Sequence, residues 1–563
     1  DEFTPKLVIY NLKLKENLSL VTCNLKLKKR GVNLNKNIEI FDSTLRDGAQ
    51  GQGISFSLED KTKIVKILDE MGIDYIEAGN PGSNPKDMEF FKVIKDIKLK
   101  NSQIVAFGST RKPNSNVNED INIKSLLSAE TDVVSIFGKS WGFQVTDILK
   151  TTLDENLEMI RDTIEYLVQK NKKVIFDAEH FFDGYKENKE YSIMTLKVAM
   201  DAGASRLVLC DTNGGTLPNE IFEITSEVVN RFGNIIGIHC HNDIGMAVAN
   251  SIMAVEAGAI HIQGTFIGVG ERCGNTNLST LIPTIALKMG CKLRVNEHLQ
   301  DLTSKARHIA EISNIQLEDS TPYIGKSAFA HKGGMHIDAI CKTPESYEHI
   351  KPEMVGNKRR FLLSEVSGKS TVLQEIHKIF PNVKKDGDEV KRVTKRLKEL
   401  EYEGYQFEGA EGTVELLIRK TIGKYKPFFK LNHFKTIGEN PWNNDDFTST
   451  ALINITVDGK REMTAAEGDG PVNALDEALR KALEVFYPEL KSVKLVDYKV
   501  RVLDSESTTG AKVRVLIEST DGNESWSTVG VSKDVIQASW IALVDSMEYK
   551  LIKDIERKAK AYF

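Results

Sequence analysis

Short apolar runs alternate with amphipathic helical stretches from residue 38 onward, and no other feature limits the fold of this chain as strongly. The runs are residues 38–41, 75–78, 104–107, 133–137, 174–176, 207–210, 235–238 and 260–266. Between the first two, Ser57 precedes acidic residues and then apolar residues at helical spacing, which predicts a capped helix. Eight strand–helix units in about 250 residues predict a (β/α)8 TIM barrel, and a doubly wound open sheet is the alternative.

Polar side chains follow these predicted strands where each strand ends. They are Asp42, Arg46 and Asp47 after the first strand, Glu77 at the second, Glu179 at the fifth, Asp211 and Thr212 at the sixth, His239 and His241 at the seventh, and Glu271, Arg272 and Asn275 after the eighth. Active sites of barrels of this type lie at the C-terminal ends of the strands. The sequence therefore predicts one functional site at that end.

His239 and His241 are two residues apart on a strand, so their side chains point to the same face and can converge on a metal ion. The alternative is two histidines at a solvated strand end. Asp47 supplies a carboxylate, and Asn275 is a weaker fourth ligand. Oxygen and imidazole ligands suit Mn²⁺, Mg²⁺, Zn²⁺ or Co²⁺ equally.

Such an ion keeps open positions for a 2-oxo acid, bound through its ketone and carboxylate oxygens. Arg46 is suited to stabilise negative charge on the ketone oxygen, although an ion pair with a barrel carboxylate is its alternative role. Asp42 is either a residue of the functional site or a residue that caps a loop, and the sequence supports both roles equally.

Charge and composition exclude other classes of function. The net charge of −5, from 75 basic and 80 acidic residues, predicts no attraction to nucleic acid or to an anionic membrane. No apolar run approaches the roughly 18–20 residues that span a bilayer. Six cysteines without a Cys-x-x-Cys pair indicate a reducing, cytoplasmic setting, or an organelle if residues 1–37 are a targeting peptide. We assign residues 1–37 no role.

The chain beyond the barrel divides into two further parts. We expect the catalytic barrel over residues 38–305, helical linker or lid subdomains over 306–430, and an α+β regulatory and dimerisation domain over 431–563. The last part repeats an order of strands followed by a helix. Residues 468–472 and 528–532 are predicted as turns whose N–H groups, at helix starts, suit an effector carboxylate.

Three motifs carry a resemblance to a known family. Residues 41–50, 239–243 and 268–275 resemble, in this order, motifs of the 2-isopropylmalate/homocitrate/citramalate synthase family, and the likeness covers nearly all of the chain from Ile38. These enzymes are acetyl-CoA-dependent, metal-assisted Claisen acyltransferases with an allosteric C-terminal domain. Residues 175–184 and 209–215 are most similar to the pyruvate-using branch that makes citramalate for isoleucine biosynthesis. The resemblance implies acetyl-CoA and pyruvate as substrates, inhibition by isoleucine and a homodimer.

The resemblance also implies a role for each site residue. Asp47, His239 and His241 would bind the metal, with Asn275 nearby. Arg46 would polarise the ketone, and Thr212 would bind the substrate carboxylate. Glu179 and His336 would form the acid–base pair, and Tyr347 would assist from the segment that reaches the partner subunit. A thioester methyl is a weak acid, so its deprotonation needs a positioned base. We expect His336 to lie in a glycine-rich loop. Asp177, on the same strand face as Glu179, is a charged residue where an apolar wall is expected; pyruvate, with only a methyl group, tolerates it best.

Several alternatives remain open from the sequence. A 2-isopropylmalate or homocitrate synthase is close, although homocitrate enzymes usually carry Glu at the position of Asp47. Hydroxymethylglutaryl-CoA lyases end the eighth strand with a Gly-Gly-Cys-Pro loop, whereas this chain has Glu271-Arg272-Cys273-Gly274. A biotin-dependent carboxyltransferase lacks support because no biotin-attachment sequence is present. A non-catalytic amino-acid sensor is disfavoured by the intact set of site residues.

Overall fold

A computed structural model describes residues 37–362, 369–384, 387–439, 448–503, 510–522 and 524–561 of the 563-residue chain. The chain forms two compact units. One consists of Asp1–Phe329 and Lys351–Lys358, and the other consists of Ala330–Ile350 and Arg359–Phe563. Of the predicted N-terminal extension, all but Asn37 lies outside the described residues.

Eight parallel strands close into a barrel in sequence order, so the predicted (β/α)8 barrel is confirmed. The strands are β1 (Glu39–Asp42), β2 (Tyr75–Gly79), β3 (Gln103–Ser109), β4 (Val133–Lys139), β5 (Lys173–Glu179), β6 (Arg206–Asp211), β7 (Ile236–Cys240) and β8 (His261–Gly264). Strand β1 pairs with both β2 and β8, and the pairing of Asp42 with Gly264 brings the loops after the first and last strands together.

Helices follow the barrel strands along the chain, and the longer ones bury one apolar face. The helices of this unit are α1 (Leu58–Glu70), α2 (Pro85–Ile94), α3 (Ile121–Ser128), α4 (Leu153–Gln169), α5 (Phe181–Glu187), α6 (Lys189–Asp201), α7 (Pro218–Phe232), α8 (Ala247–Ala257), α9 (Leu278–Leu287) and α10 (Leu302–Ile312). Helix α1 begins as predicted at Ser57, whose hydroxyl accepts a bond from the Asp60 N–H at 3.1 Å while Asp60 accepts one from the Ser57 N–H. Such a cap contributes about 1 kcal/mol.

At the amino ends of the strands, Glu39 joins three of them. Arg206 on β6 donates to both Glu39 oxygens at 2.7 and 2.9 Å, and Nδ1 of His261 on β8 lies 3.2 Å from Oε2. Burial alone would raise the pKa of Glu39, but the bonds with His261 and Arg206 lower it to about 2. Strands β1, β6 and β8 are thus tied together at the end opposite the predicted site.

The second unit begins with helical segments. They are α11 (Gly334–Lys342), α12 (Lys369–Ile379), α13 (Asp388–Glu403) and α14 (Glu411–Ile422), with the short parallel strands β9 (Ala330–His331) and β10 (Arg360–Phe361) beside them. His336 lies inside α11, so the expected glycine-rich loop is wrong at this position. Gly333 occupies the N-cap position, and the helix starts at once behind it.

The remaining part of this unit contains two similar halves. Strands β11 (Lys430–Glu439), β12 (Thr448–Val457) and β13 (Lys460–Gly468) precede α15 (Pro471–Glu484), while β14 (Lys494–Val502), β15 (Val513–Thr520) and β16 (Ser525–Ser532) precede α16 (Val535–Ala561). Each sheet is antiparallel, and both halves contribute to one hydrophobic core, for example through Ile453, Leu479, Ile517 and Leu543. None of the helices that the structure describes is long and apolar enough to cross a membrane.

One predicted turn of this region is wrong. Residues 528–532 lie within β16, and Gly530 is required there for packing. A Cβ atom at Gly530 would lie 2.0 Å from the carbonyl oxygen of Ala538 in α16, so only glycine lets the helix approach the strand this closely.

Candidate active site

The carboxyl ends of the barrel strands surround a cavity of about 530 Å³. Six of the predicted site residues line it: Arg46, Asp47, Glu179, Thr212, His239 and His241. A seventh, Asn275, contacts two of them from the loop after β8. The barrel therefore brings together side chains from its first, fifth, sixth, seventh and eighth strands.

Arg46 and Asp47 follow β1, and Glu77 of β2 fixes the arginine. Nε of Arg46 donates to Oε2 of Glu77 at 2.7 Å, and Nη1 lies 3.2 Å from Oδ2 of Asp47. The guanidinium carbon also lies 3.8 Å from the centre of the Phe107 ring. Burial disfavours the charge of Arg46, but Glu77 and Asp47 outweigh it and keep the pKa above its ordinary value. The cation is thus held in one orientation at the cavity wall.

Asp47, His239 and His241 present ligand atoms at distances that suit a divalent ion. Oδ2 of Asp47 lies 3.5 Å from Nε2 of His239 and 4.0 Å from Nε2 of His241. Ligands about 2.1 Å from one ion are separated by roughly 3–4 Å, so the spacing fits. All three side chains are buried, and among the described residues Oδ1 of Asp47 has no hydrogen-bond partner. The donor set therefore fits a metal ion.

The charges of these residues also fit. Burial lowers the pKa of His239 to about 3 and lowers that of His241, so both rings are neutral near pH 7. Burial would raise the pKa of Asp47, but Arg46 and the two histidines lower it below its ordinary value. Metals bind neutral imidazole and ionised carboxylate, so no proton has to leave at neutral pH.

Asn275 takes a supporting position in this arrangement. Its Nδ2 lies 3.3 Å from Oδ2 of Asp47 and 3.3 Å from Nε2 of His239. Its oxygen points toward Gly270, where an added Cβ would lie 1.8 Å away. As placed, Asn275 steadies two ligand atoms, and its oxygen would reach an ion only after a rotation of the amide by about 180°.

Glu179 ends β5 beside a lysine of the neighbouring strand. Lys139 is its register partner on β4 and forms an ion pair with it. The next residue, His180, has a left-handed backbone with φ of 56°, and its N–H donates to Oγ1 of Thr212 at 2.9 Å. Because that hydroxyl acts as the acceptor, its own proton is available for a ligand. Lys139 could have been found from its place at a strand end.

Arg272 joins three loops of the cavity rim. Its Nε and Nη2 lie 2.6 and 2.9 Å from the two carboxylate oxygens of Asp243, and Nη2 also donates to the Thr212 carbonyl at 2.8 Å. The loops after β6, β7 and β8 are therefore linked around His241. Arg272 follows the eighth predicted strand, so its place at this end of the barrel agrees with the sequence, whereas its link to Asp243 could not be predicted.

Two other carboxyl groups lie buried near the cavity. Desolvation raises the pKa of Asp42 to about 7. Asp42 accepts bonds from the Thr44 N–H and hydroxyl at 2.9 and 3.0 Å, which is the geometry of the loop cap named as its alternative role. Desolvation likewise raises the pKa of Asp177 to about 7. Asp177 lines the cavity and accepts bonds from Ser135 at 2.7 Å and Gln263 at 2.9 Å.

His336 and Tyr347 belong to the second unit, where the structure places them together. Their rings are stacked, with centres 4.1 Å apart and planes 22° apart. Buried Glu348 anchors the segment, because it contacts Nε2 of His331 at 3.1 Å and accepts a bond from Nε of Arg359 at 2.6 Å. The two predicted side chains thus form one exposed aromatic pair.

Comparison with known proteins gives three family matches in chain order. Residues 37–309 match the HMGL-like family, 323–404 the homocitrate synthase post-HMGL domain-like family, and 408–551 the LeuA allosteric (dimerisation) domain. The chain is 52% identical to an (R)-citramalate synthase of Aquifex aeolicus (strain VF5) over 520 residues, which cover 92% of this chain and 98% of that protein. It is 50% identical to an (R)-citramalate synthase of Geobacter sulfurreducens over 521 residues, with the same coverage. A probable 2-isopropylmalate synthase of Methanopyrus kandleri is 31% identical over 90% of this chain and 97% of its own length.

Proposed function

Because this chain belongs to the (R)-citramalate synthase family of acyltransferases, we propose that it condenses the acetyl group of acetyl-CoA with pyruvate and water to give (R)-citramalate and CoA. The observation that carries this proposal is the likeness along nearly the whole chain. The meeting of seven predicted site residues at one barrel mouth supports it.

We assign the substrate 2-oxo acid to the cavity after β1, β6 and β7. Asp47, His239 and His241 would hold a divalent ion, Mn²⁺, Mg²⁺, Zn²⁺ or Co²⁺, with Asn275 beside them. When bound, such an ion supplies a Lewis acid for the ketone and carboxylate oxygens. Arg46, fixed by Glu77, stabilises the negative charge that develops on the ketone oxygen. The Thr212 hydroxyl, which accepts from the His180 N–H, donates a hydrogen bond to the substrate carboxylate.

The acetyl methyl group must lose a proton before it can attack the ketone carbon. Glu179, positioned by Lys139, and His336, stacked on Tyr347, form the acid–base pair for this transfer. The resulting carbon forms the new C–C bond, and the former ketone oxygen takes up a proton. Water then adds to the thioester carbonyl, and CoA leaves as its thiol. In the homodimer that we propose, the segment with His336 and Tyr347 serves the partner subunit.

Isoleucine is the effector that we propose for the C-terminal module. The two helix starts of this module differ: Gly470 at the start of α15 has no capping side chain, whereas Oδ1 of Asp534 accepts from the N–H groups of Ile536 and Gln537 at the start of α16. The α15 start can therefore accept the carboxylate of an amino acid. At the start of α16 the carboxylate of Asp534 already occupies these N–H groups.

A CoA-release assay on the full chain tests these assignments. Acetyl-CoA is supplied with pyruvate, 2-oxobutyrate, 2-oxoisovalerate or 2-oxoglutarate, in the presence of Mn²⁺ or of a chelator, and with or without isoleucine. We expect the highest kcat/KM for pyruvate, loss of activity with chelator and a lower rate with isoleucine. A preference for any larger 2-oxo acid contradicts the citramalate assignment. CoA release from none of them would favour the amino-acid sensor.

A further inference from the structure

A line of buried polar side chains runs from the barrel wall to one proposed metal ligand. The Ser135 hydroxyl donates to Oδ2 of Asp177 at 2.7 Å, and Nε2 of Gln263 donates to Oδ1 of Asp177 at 2.9 Å. Oε1 of Gln263 lies 3.0 Å from Nδ1 of His239. Ser135, Asp177, Gln263 and His239 are all at most 6% exposed. None of the first three was assigned a role in the proposed reaction.

Donor and acceptor chemistry gives this line a direction. The Gln263 amide turns its NH₂ group toward Oδ1 of Asp177, which acts as the acceptor when Asp177 is ionised or carries its proton on Oδ2. The amide oxygen then faces His239 and can only accept. His239 therefore carries its proton on Nδ1.

The other ring nitrogen of His239 is left with its lone pair. Nε2 is the atom that lies 3.5 Å from Oδ2 of Asp47 and belongs to the proposed ligand set. Histidine ligands are commonly fixed in this way by an acceptor on the second ring nitrogen. Strand register makes the contact rigid, because Gln263 on β8 is the direct partner of His239 on β7.

We propose that Gln263, oriented by Asp177, is a positioning residue that fixes the tautomer and ring orientation of His239 for metal binding. The proposal rests on the metal site of the proposed function and extends it by two residues. It also explains why a carboxyl group occupies a cavity wall where an apolar side chain was expected: Asp177 sets the amide of Gln263.

Two pairs of variants test the proposal through metal affinity. Full-length protein is stripped of metal and titrated with Mn²⁺, and free Mn²⁺ is counted by its EPR signal. Gln263→Leu fills similar space but removes the acceptor, and its Mn²⁺ affinity should fall about 10–100-fold. Gln263→Glu keeps an oxygen acceptor for Nδ1 and should bind Mn²⁺ with an affinity close to that of wild type.

A packing role for Gln263 predicts the opposite order, because leucine would fill the space while glutamate would bury a second acid beside Asp177. The second pair acts at Asp177: asparagine can still accept from Gln263 and donate to Ser135, whereas leucine cannot. We expect Asp177→Asn to retain Mn²⁺ affinity and Asp177→Leu to lose it. Thermal unfolding of each variant shows whether it folds. If Gln263→Leu does not fold, the Asp177 pair tests the proposal by itself.

The outcomes separate this inference from the proposed function. Wild-type affinity in both leucine variants, or equal losses in both members of each pair, would overturn the role of Gln263 while CoA release from pyruvate still stands. Wild-type protein that binds no Mn²⁺ would overturn the role together with the metal site. Protein that binds Mn²⁺ in the expected order but releases no CoA would overturn the condensation alone.

Discussion

At the scale of single residues, the position of Glu179 is enforced from both sides. Lys139 pairs with its carboxylate from the neighbouring strand. The chain then turns at His180, whose left-handed backbone is held by the bond to Thr212. A residue other than glycine in this conformation costs about 1–3 kcal/mol, so the surrounding contacts must impose it. Such constraint is typical of a residue that has to meet its substrate at one angle.

Glu179→Gln should therefore abolish most activity with little change in substrate binding. An amide has nearly the same shape as the carboxylate but cannot accept the methyl proton, so we expect kcat to fall about 10²–10⁴-fold. Steady-state CoA release measures this, with the KM for pyruvate and thermal unfolding as companions. The same change at exposed Glu223 on α7 serves as the control and should leave kcat unaltered. A kcat loss of less than about tenfold, one tenfold step below the expected range, would remove Glu179 from the acid–base pair.

At the scale of elements, the closure of the barrel depends on contacts at its amino end as well as at its mouth. Glu39 on β1 binds Arg206 on β6 and His261 on β8. These residues are far apart in sequence, but they meet around this one carboxylate. Hydrogen bonds between charged groups contribute about 1.5–3 kcal/mol when they are shielded from water. This cluster serves stability and lies at the end of the strands away from the cavity.

Glu39→Gln should lower the free energy of unfolding by about 1–3 kcal/mol at pH 7. The folded-state pKa of Glu39 is about 2 and its ordinary value is 4.5, so its contribution is present above pH 4.5 and is lost as the pH falls toward 2. Urea unfolding at pH 7 and near pH 3 should show a smaller difference between wild type and variant at the lower pH. The control is Glu59→Gln, which removes only an exposed ion pair with Lys63. Equal differences at both pH values would contradict the assignment.

How far the sequence predicts these elements depends on how local the signal is. The barrel strands are short apolar runs, and the residues at their ends could be listed from spacing alone. Strand β11 was missed because Lys430–Glu439 is mostly polar, and the role of Gly530 depends on the approach of a distant helix. The pairing of Gln263 with His239 and of Lys139 with Glu179 depends on strand register, which a single sequence does not specify. The three predicted domain boundaries, after residues 37, 305 and 430, stay predictions.

At the scale of the whole molecule, the C-terminal module has two halves of like architecture and unlike helix starts. Both sheets and both helices contribute to one core, so a change in one half can be transmitted to the other. Of the two helix starts that the structure describes here, that of α16 carries an aspartate on its N–H groups and that of α15 does not. For the isoleucine effector that we propose, this difference favours the α15 start as the place where its carboxylate would bind.

Gly470→Asp should therefore weaken inhibition by isoleucine. Gly470 has an extended backbone and open space around an added Cβ, so aspartate fits there and places its own carboxylate on the α15 start. We expect the isoleucine concentration for half inhibition to rise about tenfold or more, because the carboxylate of isoleucine can no longer form its charge-assisted hydrogen bond with the N–H groups of α15. Gly510→Asp adds the same charge to the same module, also in open space, and should keep wild-type inhibition. Equal sensitivity of both variants would place the effector elsewhere.

The pairing of β1 with β8 has a consequence for how the protein is made. Asp47 and Asn275, which meet beside the proposed ion, are 228 residues apart in the chain. A growing polypeptide cannot unite them until its eighth barrel strand has been synthesised and has docked against the first. Contacts of such long range form late in folding, since the entropy of closing the loop must be overcome first. If the proposed metal site is correct, ion binding would mark the completion of the barrel, and a nascent chain released early would carry the two histidines without a complete site.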